Sequence, residues 1–247
     1  MWVDTHCHLQ LDGRPPQDLL DRAPDVDWVV APGVDVDSSR ASLALRGRWP
    51  ERVLATAGLH PHDASQWPRV GDDIAELVTR ADAVGETGLD YYRNLSPAAQ
   101  QRKSLRAHID LAAIHDLPVI IHCRDAFEDV HGIIEDTGCG PRSVLHCWTG
   151  GTKWTRRFLE LGVTFSFAGP IAFDTGETIR LGAELVPPDR ALVETDTPYL
   201  TPPPHRGRPN EPAWVALVGA ALGSVWGMPV AEVAATTTSN AARIFRR

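Results

Sequence analysis

Three things are scarce in this 247-residue chain: cysteine, surplus positive charge and long apolar runs. Four cysteines are too few for a disulfide scaffold. Lys and Arg number 24 against 32 Asp and Glu, a net charge of −8. Such a chain is no general coater of duplex nucleic acid, which needs a broad basic face, although a local basic patch beside a metal can still hold phosphate. The longest apolar runs, such as Trp28–Val34, are far too short to span a bilayer, so no membrane partner is expected. The opening MWVDTHCHLQLDG has neither the basic n-region nor the apolar h-region of a signal peptide, and a cytoplasmic location is expected. With 43% hydrophobic and 23% charged residues and no repeat, the composition excludes collagen, wholesale disorder and a membrane bundle.

What is present is an alternation of short apolar runs with longer amphipathic segments. The runs predict strands at Trp2–His8, Trp28–Gly33, Val53–Leu59, Ala83–Thr87, Pro118–His122, Ser143–Cys147, Val163–Phe167 and Ala191–Thr195. Helices are predicted at Pro16–Ala23, Val36–Arg48, Gln66–Arg80, Pro97–His115, Ala126–Thr137, Thr152–Leu161, Glu211–Trp226 and Pro229–Phe245. Strands buried on both faces and alternating with helices form a parallel sheet. Eight of them in this length match an α/β protein of the (β/α)8 TIM-barrel class, as a single domain over residues 1–247; an open doubly wound sheet is the alternative. Ser96-Pro97 reads as a helix start with Ser96 as N-cap. The proline-rich Thr201–Pro212 reads as a loop, and Glu211 is placed to cap or brace the helix after it.

Barrels of this kind carry function at strand C-termini. Strand 1 ends in Asp4-Thr5-His6-Cys7-His8, where residues two apart share a face, so His6 and His8 project together above Asp4. Strand 3 leads into His60-Pro61-His62, strand 4 into Glu86 and Asp90, and strands 5, 6 and 8 into His122, His146 and Glu194-Thr195-Asp196. A lone histidine is usually structural. His6, His8, Glu86, His122, His146 and Asp196 instead fall at one mouth, as a divalent metal site requires. Four imidazoles and two carboxylates exceed the needs of one ion and suit two that share a carboxylate. The same alternation turns Cys7, Cys123 and Cys147 away from the mouth, as packed thiols rather than zinc ligands.

The motifs DTHCHL (Asp4–Leu9), GLHPH (Gly58–His62), VGETGLDYYR (Val84–Arg93), LPVIIHCRDA (Leu117–Ala126), HCWTG (His146–Gly150), SFAGPIAF (Ser166–Phe173), ETDTPYLTP (Glu194–Pro202), RGRPNEPAWV (Arg206–Val215) and TSNAARIF (Thr238–Phe245) span nearly the whole chain. In that order the sequence resembles the TatD family of metal-dependent hydrolases, within the amidohydrolase-like barrels. Trp148-Thr149 departs from the family's usual aromatic-Ser, and Arg208-Pro209 from a pair of basic residues, which thins positive charge near the mouth. The resemblance implies that His6, His8, Glu86 and Asp196 hold one ion and Glu86, His122 and His146 a second, with Glu86 bridging. It also separates the chain from relatives that use a carbamylated lysine at the strand-4 position.

Two divalent cations (Mg, Mn or Zn) lower the pKa of a bound water, and Asp196 is positioned to orient that water and take its proton. His60 stands where it can contact a phosphoryl oxygen or assist the leaving group. Arg124 and Arg206 are candidate phosphate contacts. Tyr91, Tyr92 and Trp148 fall in mouth loops, where base stacking or packing onto the barrel would suit them. The resemblance implies a deoxyribonuclease acting on single-stranded DNA ends. Removal of a D-amino acid from tRNA and small-molecule ester or amide hydrolysis are the alternatives, and a silent binding module would have lost ligands that are all present here.

Overall fold

The computed structural model describes all 247 residues. Eight parallel strands pair in simple sequence order, β1 (Trp2–Asp4), β2 (Val26–Ala31), β3 (Val53–Ala57), β4 (Ala83–Asp90), β5 (Val119–Arg124), β6 (Ser143–Leu145), β7 (Thr164–Phe167) and β8 (Ala191–Val193). The sheet closes on itself, which excludes the doubly wound alternative. The seam between β8 and β1 has no regular ladder. Single bonds close it: Thr5 N–H to the Val193 carbonyl (3.2 Å), Asp196 N–H to His6 (2.9 Å) and His8 N–H to Thr197 (2.9 Å).

Around the sheet run α1 (Pro16–Asp21), α2 (Val36–Arg48), α3 (Trp67–Val78), α4 (Ala98–Ile114), α5 (Phe127–Thr137), α6 (Thr152–Glu160), α7 (Glu177–Ala183), α8 (Val215–Trp226) and α9 (Val230–Phe245). Asp35 caps α2 by accepting from the Ser38 N–H (2.7 Å), and the Ser38 hydroxyl accepts in return from Asp35 N–H (3.0 Å). The expected Ser96 cap is corrected. The N-cap of α4 is Pro97, and the Ser96 hydroxyl donates instead to the His62 carbonyl (2.7 Å), tying the loop after β3 to α4. Glu211 makes no helix-capping bond; its carboxylate takes the Arg22 guanidinium at 2.8 Å. The short α7 has no counterpart among the predicted helices. No single helix is long and apolar enough to cross a membrane.

Two apolar layers result. The larger packs the helices onto the outside of the sheet. The smaller joins Val3, Val30, Leu54, Ala83, Ile120, Val144 and Leu192 with Phe245 of α9, forming a floor inside the barrel. Successive residues on a strand face opposite ways. One two-residue step therefore leads from Ile120 to His122, from Val144 to His146 and from Leu192 to Glu194. The apolar floor thus carries the polar mouth directly above it.

β4 breaks this period in a useful way. It pairs Val84 with Val119 and then Thr87 with Ile121, so three residues advance on β4 against two on β5. The extra residue is a bulge, and it shifts the inward face from Ala83 to Glu86. Gly85 (φ +126°) and Gly88 (φ +145°) flank Glu86, and a Cβ at Gly88 would collide with the His122 carbonyl. The two glycines let β4 press against β5 while Glu86 turns into the barrel.

Candidate metal centre

Glu86 is the hub of the mouth. Its carboxylate is 3% exposed, and its two oxygens face different imidazoles. Oε2 lies 3.2 Å from His6 Nε2 and 3.7 Å from His8 Nε2. Oε1 lies 3.0 Å from His146 Nε2, 3.1 Å from His122 Nδ1 and 3.4 Å from His60 Nε2. Asp196 Oδ1 closes the first side at 3.4 Å from His8 Nε2 and 3.8 Å from His6 Nε2. The sequence-predicted residues His6, His8, Glu86, His122, His146 and Asp196 thus converge, and His60 stands among them.

Three overlapping groups have donor atoms within 4.8 Å of one another: His6, His8 and Glu86; His6, His146 and Asp196; and His60, Glu86 and His122. His146 therefore also faces the Asp196 side, with its ring stacked on His6 at 4.0 Å.

Charge is arranged to match. Burial alone would raise the Glu86 pKa, but the imidazoles of His146 and His60 and hydrogen bonds from His122 and His146 hold it well below the carboxylate range. Asp196 is lowered likewise, against burial, by His8 and His6. His6 and His60 are pulled below the usual histidine range, chiefly by burial. His146 moves the other way, because Glu86 and Glu194 outweigh its burial.

The donor set fits divalent cations. His6 Nε2 and His8 Nε2 lie 3.2 Å apart, and His122 Nδ1 and His146 Nε2 3.1 Å apart, each pair against one oxygen of Glu86. Imidazoles so crowded cannot all point N–H groups inward, whereas inward lone pairs around anionic oxygens are what a cation coordinates. The Nδ1 atoms of His6 and His8 are buried without a partner, so the polar contacts of these two rings all lie within the cluster.

Several supporting residues were quoted in motifs without being given a role. Glu194, wholly buried, lies 3.2 Å from His146 Nδ1 and accepts from Cys147 N–H at 2.8 Å. Asp90 Oδ2 lies 3.3 Å from His122 Nε2 and 3.0 Å from His62 Nε2. Such outer carboxylates fix ring orientation and strengthen the inner nitrogen as a ligand. Spacing offered a signal, because Glu194 lies two residues before Asp196 on the same face. Asp4 accepts from the Thr195 hydroxyl (2.6 Å) and N–H (2.9 Å) across the seam, and burial pushes its pKa up to about 7.

Other expected residues lie further out. Arg124 lines both mouth cavities, with its guanidinium 3.9 Å over the Tyr92 ring. Arg206 lies over Phe173 at 4.1 Å, donates to the Thr201 carbonyl and lines neither cavity. Trp148 is buried, with Nε1 donating to Thr155, and the Tyr91 hydroxyl donates to Asp129. Neither aromatic presents a free face at the mouth. Cys7 is buried away from both mouth cavities, whereas Cys123, though buried, and the half-buried Cys147 both line one of them, a departure from the expected outward turn that is larger for Cys147. Its φ of +45° takes it out of the strand alternation on which that expectation rested.

A parallel eight-stranded barrel with histidines and carboxylates gathered at its C-terminal mouth defines a barrel metallohydrolase. The family of TatD-related DNases matches residues 3–246. The uncharacterized metal-dependent hydrolase YcfH of Escherichia coli K12 is 37% identical over 260 residues, covering 98% of this chain and 95% of that protein. The 3'-5' ssDNA/RNA exonuclease TatD of Pectobacterium parmentieri is 35% identical over 234 residues, covering 90% and 88%. The crystal structure of YJJV, a TatD homolog from Escherichia coli K12, superposes with a TM-score of 0.90 at 26% identity, covering 100% of this chain and 98% of that one. This chain belongs to the TatD family of metal-dependent hydrolases.

Proposed function

We propose that this protein is a two-metal phosphodiesterase that hydrolyses single-stranded DNA from its ends. The observation that carries the reading is the division of Glu86, whose Oε2 faces His6 and His8 while its Oε1 faces His122 and His146. A single bridging carboxylate with imidazoles on both sides is the ligand arrangement of a paired site. The relative from Pectobacterium parmentieri, named for exonuclease action on single-stranded DNA and RNA, supports the substrate class.

His6, His8, Glu86 and Asp196 would hold one ion, and Glu86, His122 and His146 the other. Bound there, divalent cations lower the pKa of a water and offset the charge of the phosphate. The chain's own groups do the rest. Asp196 is the most open carboxylate of the cluster, 13% exposed, and stays anionic. It orients the attacking water, accepts its proton as the new P–O bond forms, and returns that proton to the sugar oxygen that departs as its P–O bond breaks. His60, 15% exposed, reaches toward the same space and donates to a phosphoryl oxygen. Arg124 supplies fixed positive charge at the rim.

The test reloads metal-stripped protein with magnesium, manganese or zinc and offers end-labelled single-stranded DNA, matched RNA and D-aminoacyl-tRNA. DNA shortens in a metal-dependent way. Glu86→Gln loses roughly 100-fold or more, beyond the 10–100-fold typical of outer-shell changes. Cleavage of the aminoacyl ester alone moves the function to deacylation, and undiminished activity in Glu86→Gln overturns the bridging assignment.

A further inference from the structure

The mouth is a cleft of two lobes that share Arg93, Arg124 and Tyr199 as well as His122, His146 and Asp196. The first lobe, about 440 Å³, is the more enclosed and is walled by Cys147, Thr149, Pro170 and Leu200. The second, about 410 Å³, is walled by His60, His62, Asp63, Glu86 and Asp90 among others. We propose that the first lobe is the pocket for the terminal nucleoside of the substrate, with Tyr199 as its stacking face and Arg93 and Arg124 as its phosphate clamp. This rests on the nuclease reading and adds to it the part of the substrate that each lobe recognises.

Two observations favour the first lobe. Either volume would admit a nucleoside, but the first lobe is the more enclosed and its lining the more apolar, as a base requires. Asp196 is its one carboxylate, whereas Asp63 and Asp90 join the donor-cluster residue Glu86 in the second lobe, a polar lining poorly suited to a base. Tyr199 is 55% exposed although its backbone is rigidly held. Its N–H donates to the Asp196 carbonyl (2.8 Å) and its carbonyl accepts from Asn210 Nδ2 (2.8 Å). An aromatic ring fixed from behind and open in front is a stacking platform that costs little entropy on binding.

The cations complete the pocket. Arg93 and Arg124 form no ion pair, in a chain that carries a net charge of −8. The Arg124 guanidinium is steadied over Tyr92 without being neutralised, so its charge is directed at whatever enters. Both stand where the lobes meet, beside the donor cluster, where a scissile phosphate and its neighbour would lie.

The experiment compares KM and kcat of the metal-loaded protein on a single-stranded oligonucleotide with an ordinary end and on one ending in an abasic residue. The wild type loses roughly tenfold in KM on the abasic end, in the range of one base–aromatic stack. Tyr199→Ala loses the same factor on the ordinary end, mainly in KM, and no longer distinguishes the two substrates. Tyr199→Phe keeps the ring and restores the discrimination. Deoxyadenosine monophosphate inhibits the wild type more tightly than deoxyribose phosphate does, and Tyr199→Ala erases that preference. If the wild type cleaves both ends with equal KM, the pocket assignment falls while the nuclease reading stands. If it cleaves no nucleic acid at all, both fall.

Discussion

Ten histidines divide by what their nitrogens meet, and His108 is the instructive contrast to the cluster. It is wholly buried on α4, donates from Nδ1 to the Ser104 carbonyl (2.7 Å) and accepts at Nε2 from Leu59 N–H (3.0 Å). Both nitrogens are satisfied only in the neutral ring. Burial lowers its pKa from 6.5 to about 4. Below the unfolded value the unfolded chain therefore binds a proton that the folded one refuses, so stability falls as pH drops from 6.5 toward 4. The expected loss is about 3 kcal/mol across that window. His108→Gln keeps an acceptor near Leu59 and is expected to flatten this part of the profile. Urea midpoints of both proteins between pH 7 and 4.5 check it, and parallel curves would refute it. That six donor residues converge on one mouth was legible because each lies at or near the C-terminal end of a predicted strand. Trp148 and Tyr199 were not. Spacing places a residue in a mouth loop but does not say whether its ring turns into the core, as Trp148 does, or out, as Tyr199 does.

At the level of elements, the alternation of strand and helix could be read because apolar runs and amphipathic segments differ in period. Lengths could not. β1, β6 and β8 are only three residues long, and His6, His8, His146 and Asp196 lie just beyond them. The bulge in β4 escaped because it is a matter of register, visible only once β4 lies beside β5. The seven-residue α7 escaped because so short a segment shows no periodicity. The loop over residues 201–212 has a brace that the sequence hinted at only as a motif. Asn210, fully buried, donates from Nδ2 to the Thr195 and Tyr199 carbonyls at 2.8 Å each, and its N–H donates to Pro198 at 2.9 Å. It clamps the segment that carries Asp196 and Tyr199. Asn210→Ala strands two carbonyls and is expected to cost about 2–3 kcal/mol in urea unfolding. Hydrolysis is expected to fall with it, since Asp196 loses its support, and an unchanged midpoint would deny the clamp.

On the scale of the whole molecule, the donor cluster straddles the one weak joint of the barrel. Single backbone bonds and the Asp4–Thr195 contact join β8 to β1, whereas other neighbours share ladders. A cation held there, on the proposed assignment by His6, His8 and Asp196, would tie the two edges together. Ligand binding to the native state stabilises it by about 2.7 kcal/mol at a hundredfold excess over Kd. Metal loading is therefore expected to raise Tm and to slow amide exchange most at residues 2–8 and 191–197. Protection spread evenly over all eight strands would argue against a seam tie. The same arrangement orders events during synthesis. His6 and His8 emerge from the ribosome near the beginning, and Asp196 near the end. No nascent fragment that stops short of β8 carries the full donor set. On the proposed assignment, hydrolysis would have to wait until the barrel shuts, so unfinished copies of the chain would carry none of it.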